Sequence, residues 1–365
     1  MITGTGFVCP APLQDVLAGR SAAPPDPSPE ITAFEISEGL PAWGFEVLDF
    51  SLEQELPNIK SFIDRTSALA LGATKRALSD AGLLAAESRP QGVEIGCGYG
   101  TTLGCLEAMG IFWNKVKTSN PKFAQPLPFT QGYANSPSSL MCIEFGLRGP
   151  AATFSGERLA GIEALLFAVD QIAAGAGDVI AVGASESLSQ AAFNHLQAGG
   201  ELSRSGRWDD GIIPGEGAAV LIVESLESAQ KRGAKILAEV DGVNFFPLDP
   251  RAKSAPIQLA TPREQTIAFV STPNVHPRGG WASPLWNDMP AFASKLYTGD
   301  MLSVSPLLGA ALGAGVLAKK IPLSGAGALP LTAQSGAMID AGYSVATGYE
   351  PSGTLGVIML KALKT

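Results

Sequence analysis

The chain enters a long apolar helical pattern through Thr153-Phe154-Ser155-Gly156-Glu157-Arg158-Leu159-Ala160-Gly161. Turn residues precede this segment, in Gly146-Leu147-Arg148-Gly149-Pro150. The pattern that follows, residues 159–174, is apolar on nearly every side. A helix of this kind is expected to be buried between other layers of structure. The segment therefore predicts a tight turn that leads into the centre of the molecule.

Outward from this segment, apolar runs alternate with helical patterns. Residues 179–184 and 218–223 have the uninterrupted apolar character of buried strands. A helix is predicted from Phe62, with Asp64 in its opening turn and Gly82 as its stop signal. Weaker signals in the second half predict strands at 267–270 and 356–360 and a helix at 306–318. This alternation predicts an α/β protein with mostly parallel sheets.

Composition limits the classes of partner. A chain of 365 residues that is 46% hydrophobic can bury a large core. Its net charge of −9 argues against nucleic acid and against an anionic membrane surface. The basic residues Lys115, Lys117 and Lys122 could contact an acidic protein, although a solvated loop is the simpler interpretation. The first residues read as a strand, and no apolar run is clean enough to span a bilayer. We expect a soluble cytoplasmic protein.

The sequence offers no metal or cofactor motif. Four cysteines show no metal-ligand pairing, and the chain has only two histidines. We expect reduced, packed thiols and no metal site. The glycines at 96–100 lack the lysine and the glycine spacing of a phosphate-binding loop, so no cofactor is expected. Cys97, Cys105 and Cys142 do not open a helix after a strand, so none of them is the expected nucleophile.

Several segments, in order and with approximate spacing, resemble the β-ketoacyl-acyl-carrier-protein synthases, which have the thiolase-like fold. They include Phe145-Gly146-Leu147-Arg148-Gly149-Pro150, residues 153–161 and 178–186, and Trp208-Asp209-Asp210-Gly211-Ile212-Ile213-Pro214-Gly215-Glu216-Gly217-Ala218-Ala219. The resemblance implies a layered αβαβα fold in which two mixed, mostly parallel sheets sandwich buried helices. It also implies one compact unit, with a ketosynthase-like half at 1–245 and a shortened second half at 246–365.

The resemblance also locates the family's site residues, and this chain departs from each of them. In the nucleophile elbow, residues 155–161, Arg158 stands where the family has its acylated cysteine. Pro273 and Pro306 stand where the family has its two histidines, and Met301 where it has a lysine. The equivalent of the family's gating loop lacks its aromatic gate and includes Tyr349, Pro351 and Gly353.

These departures predict that the chain has lost catalysis. A guanidinium is permanently protonated and cannot attack a thioester. His276, three residues after Pro273, reads as a loop histidine, and Ser155 has no histidine nearby in sequence to act as its base. A buried guanidinium should pair with a carboxylate. Glu157 is the nearest in sequence, and Glu350 or an acidic residue of a partner subunit are the alternatives.

The resemblance therefore implies a non-catalytic subunit like the chain-length factors. Those proteins pair with an active ketosynthase in fatty acid, polyketide or aryl-polyene biosynthesis. An active β-ketoacyl synthase or acyltransferase with relocated catalytic residues is one alternative. A homodimer that binds acyl chains or acyl carrier protein is another. The expected partners are an active ketosynthase or a second copy of the chain, with acyl carrier protein as a further candidate.

Overall fold

The computed structural model describes residues 1–18, 20, 23–34, 42–59, 61–84, 92–119, 121–247, 261–262, 265–271, 291–319 and 341–363. The strands in these ranges are β1 (Ile2–Val8), β2 (Ile95–Thr101), β3 (Ala151–Ser155), β4 (Val179–Glu186), β5 (Gly217–Glu224), β6 (Glu239–Pro247), β7 (Thr266–Ser271), β8 (Ala291–Phe292), β9 (Tyr343–Glu350) and β10 (Thr354–Lys361). The helices are α1 (Leu13–Leu17), α2 (Leu52–Glu55), α3 (Arg65–Asp80), α4 (Leu106–Thr118), α5 (Pro126–Gln131), α6 (Ser136–Phe145), α7 (Ala160–Ala173), α8 (Gln190–Ala198), α9 (Leu226–Lys231), α10 (Lys295–Thr298) and α11 (Val304–Leu317).

The described strands form two five-stranded sheets with the same internal pattern. The first has the order β1-β5-β4-β2-β3 and the second the order β6-β10-β9-β7-β8. In each sheet the first two pairings are antiparallel and the last two are parallel. The sheets are mixed, as predicted, but parallel pairings are not in the majority. Strands covered on both faces read as apolar runs in either direction, so the sequence pattern does not distinguish the two arrangements.

Two helices lie between the sheets. α7 and α11 each contact strands of both sheets. One apolar cluster joins Ile162 and Leu307 of these helices to Ile180 of the first sheet and Ile358 of the second. On the outer face of the first sheet, α3 and α6 pack on a second cluster that includes Leu71. The outer helical layer expected beyond the second sheet is not among the described elements.

Local signals explain why the long elements begin and end as they do. The Asp64 side chain accepts a hydrogen bond from the Thr66 amide at 2.9 Å and caps α3. Gly82 follows that helix with φ +68°, the left-handed conformation that ends helices. The apolar pattern at 159–174 forms α7 within one residue of its predicted ends. Within the described ranges, no helix is long and apolar enough to cross a membrane.

The two halves of the chain correspond to the two sheets. The second sheet begins with β6 at Glu239, so the boundary predicted at 245 falls inside that strand. Strand order and direction repeat from the first sheet to the second, so the two sheets are related as a fold-level duplication. Residues of both halves share the cluster around α7 and α11. The elbow at the start of α7 therefore lies between the two halves.

Candidate functional site

The elbow packs directly against the chain that precedes α11. β3 ends at Ser155, α7 begins at Ala160, and Arg158 lies between them. A Cβ at Gly161 would lie 2.3 Å from the backbone oxygen of Ser303, so no larger residue fits there without a shift. This close approach brings residues just before α11 within reach of the Arg158 side chain, which is itself buried at 7% exposure.

Two carboxylates hold the Arg158 guanidinium. Its Nη1 donates to Asp300 Oδ2 at 2.7 Å, and its Nη2 donates to Glu201 Oε2 at 2.5 Å. The Asp300 side chain is buried, whereas that of Glu201 is 38% exposed. Burial lowers the pKa of Arg158, but the charges of Asp300 and Glu201 outweigh it and raise the pKa above its ordinary value. The group therefore remains a cation that is neutralised in place.

The sequence predicted that Glu157 pairs with Arg158, but Asp300 and Glu201 form the ion pairs with Arg158 instead. Glu157 is adjacent to Arg158 in the chain, but its side chain lies beside Glu350. Glu350 is the last residue of β9, and its Oε1 accepts the backbone N–H of Leu159 at 2.8 Å. Its Oε2 is buried and accepts no hydrogen bond from the described residues. Burial, reinforced by Glu157 and opposed by Arg158, raises the pKa of Glu350 to about 8.

A buried lysine lies near the same ion pair. Lys295 is 1% exposed, and its Nζ has no hydrogen-bond partner within the described part of the chain. It lies 5.2 Å from the centre of the Trp208 ring, a cation–π distance. Burial lowers the pKa of Lys295 to about 7, with Asp300 opposing and Arg158 reinforcing the shift. Met301, where the resemblance placed the family's lysine, is itself buried.

Glu186 holds the backbone around the elbow. Its carboxylate accepts from the Ser303 hydroxyl at 2.6 Å and from the amides of Thr102 and Leu103 at 2.5 and 3.1 Å. Burial raises the pKa of Glu186 to about 7, against the effect of these donors. The side chain links the end of β4 to the loop after β2 and to the start of α11. We interpret it as structural, because its oxygens are occupied by these hydrogen bonds.

The other predicted site residues do not meet Arg158 in a reactive arrangement. Pro306 is buried in the first turn of α11, where its ring packs against Gly348 of β9. A proline ring exchanges no proton, so this position offers no acid or base. Pro273 and His276 lie outside the described residues. Tyr349 lies in β9 and is half-buried, and in the turn that follows, Pro351 is exposed and Gly353 has φ +105°.

None of the three cysteines considered as nucleophiles lies in the elbow. Cys97 is in the middle of β2, and Cys142 is on α6. The expectation that Cys105 does not open a helix after a strand is wrong, because it lies four residues after β2 and directly before α4. Burial raises the pKa of Cys105, whereas a hydrogen bond from Cys97 lowers that of Cys142. Cys142 is half-buried, and it is the one of these three thiols whose pKa is lowered. Across the described ranges, no cluster of histidine, cysteine and carboxylate side chains is arranged to hold a metal ion.

Comparison with known proteins agrees with this architecture. Residues 42–229 match the family model for the N-terminal domain of β-ketoacyl synthases. A 3-oxoacyl-[acyl-carrier-protein] synthase 2 from Synechocystis is 31% identical over 261 residues, covering 66% of this chain and 61% of that protein. The α subunit of the tetracenomycin polyketide ketoacyl synthase from Streptomyces glaucescens is 29% identical, over 51% of this chain and 47% of that protein. The chain thus spans less than two thirds of the length of these relatives.

Solved structures show the same fold over the whole chain. The ishigamide ketosynthase/chain length factor superposes with a TM-score of 0.79 at 22% identity, covering 100% of this chain and 98% of that one. A β-ketoacyl synthase from Burkholderia phymatum gives a TM-score of 0.76 at 21% identity, with 100% and 99% coverage. The predicted thiolase-like fold is confirmed. The chain has two mixed sheets in an α/β stack and an elbow at the start of the central helix. Together with the family match over residues 42–229, these features show that the chain belongs to the β-ketoacyl synthase family.

Proposed function

We propose that the chain is a non-catalytic, chain-length-factor-like subunit that pairs with an active β-ketoacyl synthase. The pathway would be fatty acid, polyketide or aryl-polyene biosynthesis. The observation that carries this proposal is the residue that occupies the elbow. Arg158 occupies it as a buried cation bound by Asp300 at 2.7 Å and by Glu201. Acyl transfer needs a nucleophile at this point, and a guanidinium has no lone pair to offer.

The surroundings of Arg158 support the loss of catalysis. The N–H of Leu159, at the start of α7, already donates to Glu350. An amide at a helix start is the kind of donor that could stabilise a developing oxyanion. Here the carboxyl group of Glu350 occupies it. Arg158, Asp300 and Glu201 form an ion cluster, and the buried Lys295 amine beside it has a pKa lowered to about 7 by burial.

An open sheet edge supports the pairing. β3 is the last strand of the first sheet, and no described strand pairs with its outer side. Its sequence, Ala-Ala-Thr-Phe-Ser, carries none of the charges that commonly protect edges. α6 lies beside this strand, with Ser138 and Thr153 hydroxyls 2.7 Å apart. A second ketosynthase-like chain could extend the sheet by pairing along β3.

Exposed apolar side chains are also abundant on the helices that lead to β3. Those on α4, α5, α6 and their connections are Ile111, Trp113, Phe123, Leu127, Phe129, Tyr133 and Ile143. Large exposed apolar side chains gathered in one region commonly mark a protein interface. Lys115, Lys117 and Lys122 lie in the same part of the chain and would give an acidic acyl carrier protein a contact. Both partners are soluble biosynthetic components, in keeping with the cytoplasmic location expected from sequence.

Co-expression with ketosynthases of the same genome tests the proposal. We expect a 1:1 complex that survives size-exclusion chromatography with light scattering. F129E should weaken it, whereas L226E, which changes a similarly exposed residue on α9, should not. A chain that stays monomeric and binds none of these ketosynthases would contradict the proposal. A stable homodimer without a heterodimer would favour the acyl-chain or carrier-protein binding module.

Intact-protein mass spectrometry separates the enzymatic alternative. The purified chain is incubated with acyl thioesters and with malonyl thioester. We expect no stable adduct and no condensation product, because no activated nucleophile lies in the elbow. An acyl adduct on Cys142, the half-buried thiol with the lowered pKa, would favour an enzyme with relocated residues.

A further inference from the structure

The end of β9 is tied to the elbow by a pair of carboxyl groups. Glu350 Oε1 accepts the Leu159 N–H at 2.8 Å, and its Oε2 is buried without a hydrogen-bond partner among the described residues. The carboxyl group of Glu350 also interacts with that of Glu157, an exposed residue of the elbow. Glu350 is only 7% exposed. Two carboxylates in contact repel each other, and a buried oxygen without a donor is costly. A single proton on Oε2, donated to Glu157, removes both penalties.

We propose that Glu350 and Glu157 form a proton-controlled latch that holds the β9–β10 turn against the elbow. With the proton in place, Glu350 bridges the Leu159 amide and the Glu157 carboxylate, and the turn covers the start of α7. When the proton is lost, both groups are charged and the contact between the turn and the elbow weakens. The pair loses one proton to solvent and gains one negative charge, and no other reactant is needed.

The charges that face Glu350 come from the elbow. They are Glu157, which favours the protonated form, and Arg158, which favours the carboxylate and is itself held by Asp300 and Glu201. α11 carries no titratable side chain, and the single lysine of β10, Lys361, pairs with Tyr343 at the other end of the strand. Burial and Glu157 together outweigh Arg158 and place the pKa of Glu350 at about 8. The latch is therefore strongest at low pH and weakens as the pH rises towards about 8.

Hydrogen–deuterium exchange of the full chain tests the latch. Peptides covering the elbow and residues 349–354 are followed between pH 6 and pH 9. E350Q keeps the Oε1 acceptor and supplies a permanent donor to Glu157, so it imitates the protonated state. Rates of the wild-type chain are divided by those of E350Q at each pH, which cancels the intrinsic effect of pH on exchange.

We expect the ratio to rise by up to about tenfold per pH unit between pH 6 and pH 8, because the opened turn gives Glu350 an ordinary pKa near 4.3 whereas the closed state holds it at about 8. Above pH 8 both states have lost the proton, so the ratio should level off. E157Q should also suppress the rise, because its amide donates to the Glu350 carboxylate. E163Q, an exposed change on α7, should behave as wild type. A ratio that stays flat to pH 9 would overturn the proposal. If E350Q does not fold, E157Q replaces it as the reference, and the same flat ratio would overturn the proposal.

Discussion

Replacing Arg158 by alanine should destabilise the chain mainly through the carboxylate that it leaves behind. Asp300 is buried, with a side-chain exposure of 5%, and Arg158 is its salt-bridge partner at 2.7 Å. Removing one member of a buried ion pair typically costs about 3–5 kcal/mol, because the other charge stays in a low-dielectric site. Asp300 keeps the Leu302 amide at 3.0 Å and the nearby charge of Lys295. We therefore expect the lower end, about 3 kcal/mol.

The contact with Glu201 adds little to this figure. The Glu201 side chain is 38% exposed, so water screens its charge and solvates it when Arg158 is removed. An ion pair of this kind is typically worth about 0–1 kcal/mol. The Arg20–Asp15 pair, with side chains 61% and 49% exposed, provides the matched control. R20A should change the free energy of unfolding by less than about 1 kcal/mol.

Urea denaturation at fixed protein concentration measures these differences through the midpoint and the slope. A double-mutant cycle of R158A and D300A should give a coupling energy of about 2–3 kcal/mol, because the double variant leaves neither charge unpaired. If R158A costs no more than R20A, or if the two changes are additive, Arg158 is not held in the way the structure indicates.

Three further predictions follow from the same region. R158C restores a thiol to the elbow but leaves Asp300 beside it, a like charge that disfavours the thiolate, so mass spectrometry should show no acyl adduct. Burial lowers the pKa of Lys295 to about 7 from an ordinary value near 10.4, so the wild-type chain should become more stable as pH rises from 7 to 9. In urea titrations, K295M should not show this gain in stability. An equal gain in both proteins would contradict the prediction. G161A should cost about 1–3 kcal/mol by overpacking, whereas G156A, whose Cβ would meet nothing within 4 Å, should be nearly neutral; equal effects would refute the packing argument.

Much of the fold could be predicted because its long elements carry local signals. The Asp64 cap and the Gly82 stop bound α3, and the apolar runs at β4 and β5 mark buried strands. Strand direction could not be read in this way. A strand covered on both faces has the same apolar run in either orientation. β9 and β10 are joined by only residues 351–353, which is too short for a parallel crossover, but the sequence pattern did not mark the end of β9.

The candidate site was less predictable, because its contacts join distant parts of the chain. Burial of Arg158 follows from its place before an apolar helix, and the need for a carboxylate follows from burial. The sequence does not show which carboxylate pairs with Arg158. Asp300 is 142 positions away from Arg158 and Glu201 is 43. Proximity in sequence favoured Glu157, but adjacent residues in a turn point in different directions, and Glu157 lies beside Glu350 instead.

Two charged residues that the resemblance did not single out lie near the elbow. Asp300 pairs with Arg158, and the charge of Asp300 acts on the buried Lys295. Pro306 and Met301 stay the predicted counterparts of the family's histidine and lysine, and both are buried.

The elbow holds a pair of opposite buried charges. A thiol and a histidine work together in catalysis because one gives up a proton that the other can hold. Arg158 and Asp300 are different, because each neutralises the buried charge of the other. Arg158 alone would be an unpaired buried cation, and Asp300 alone an unpaired buried anion. Each residue is tolerated because the other is present, which is why the cycle of R158A and D300A should show strong coupling.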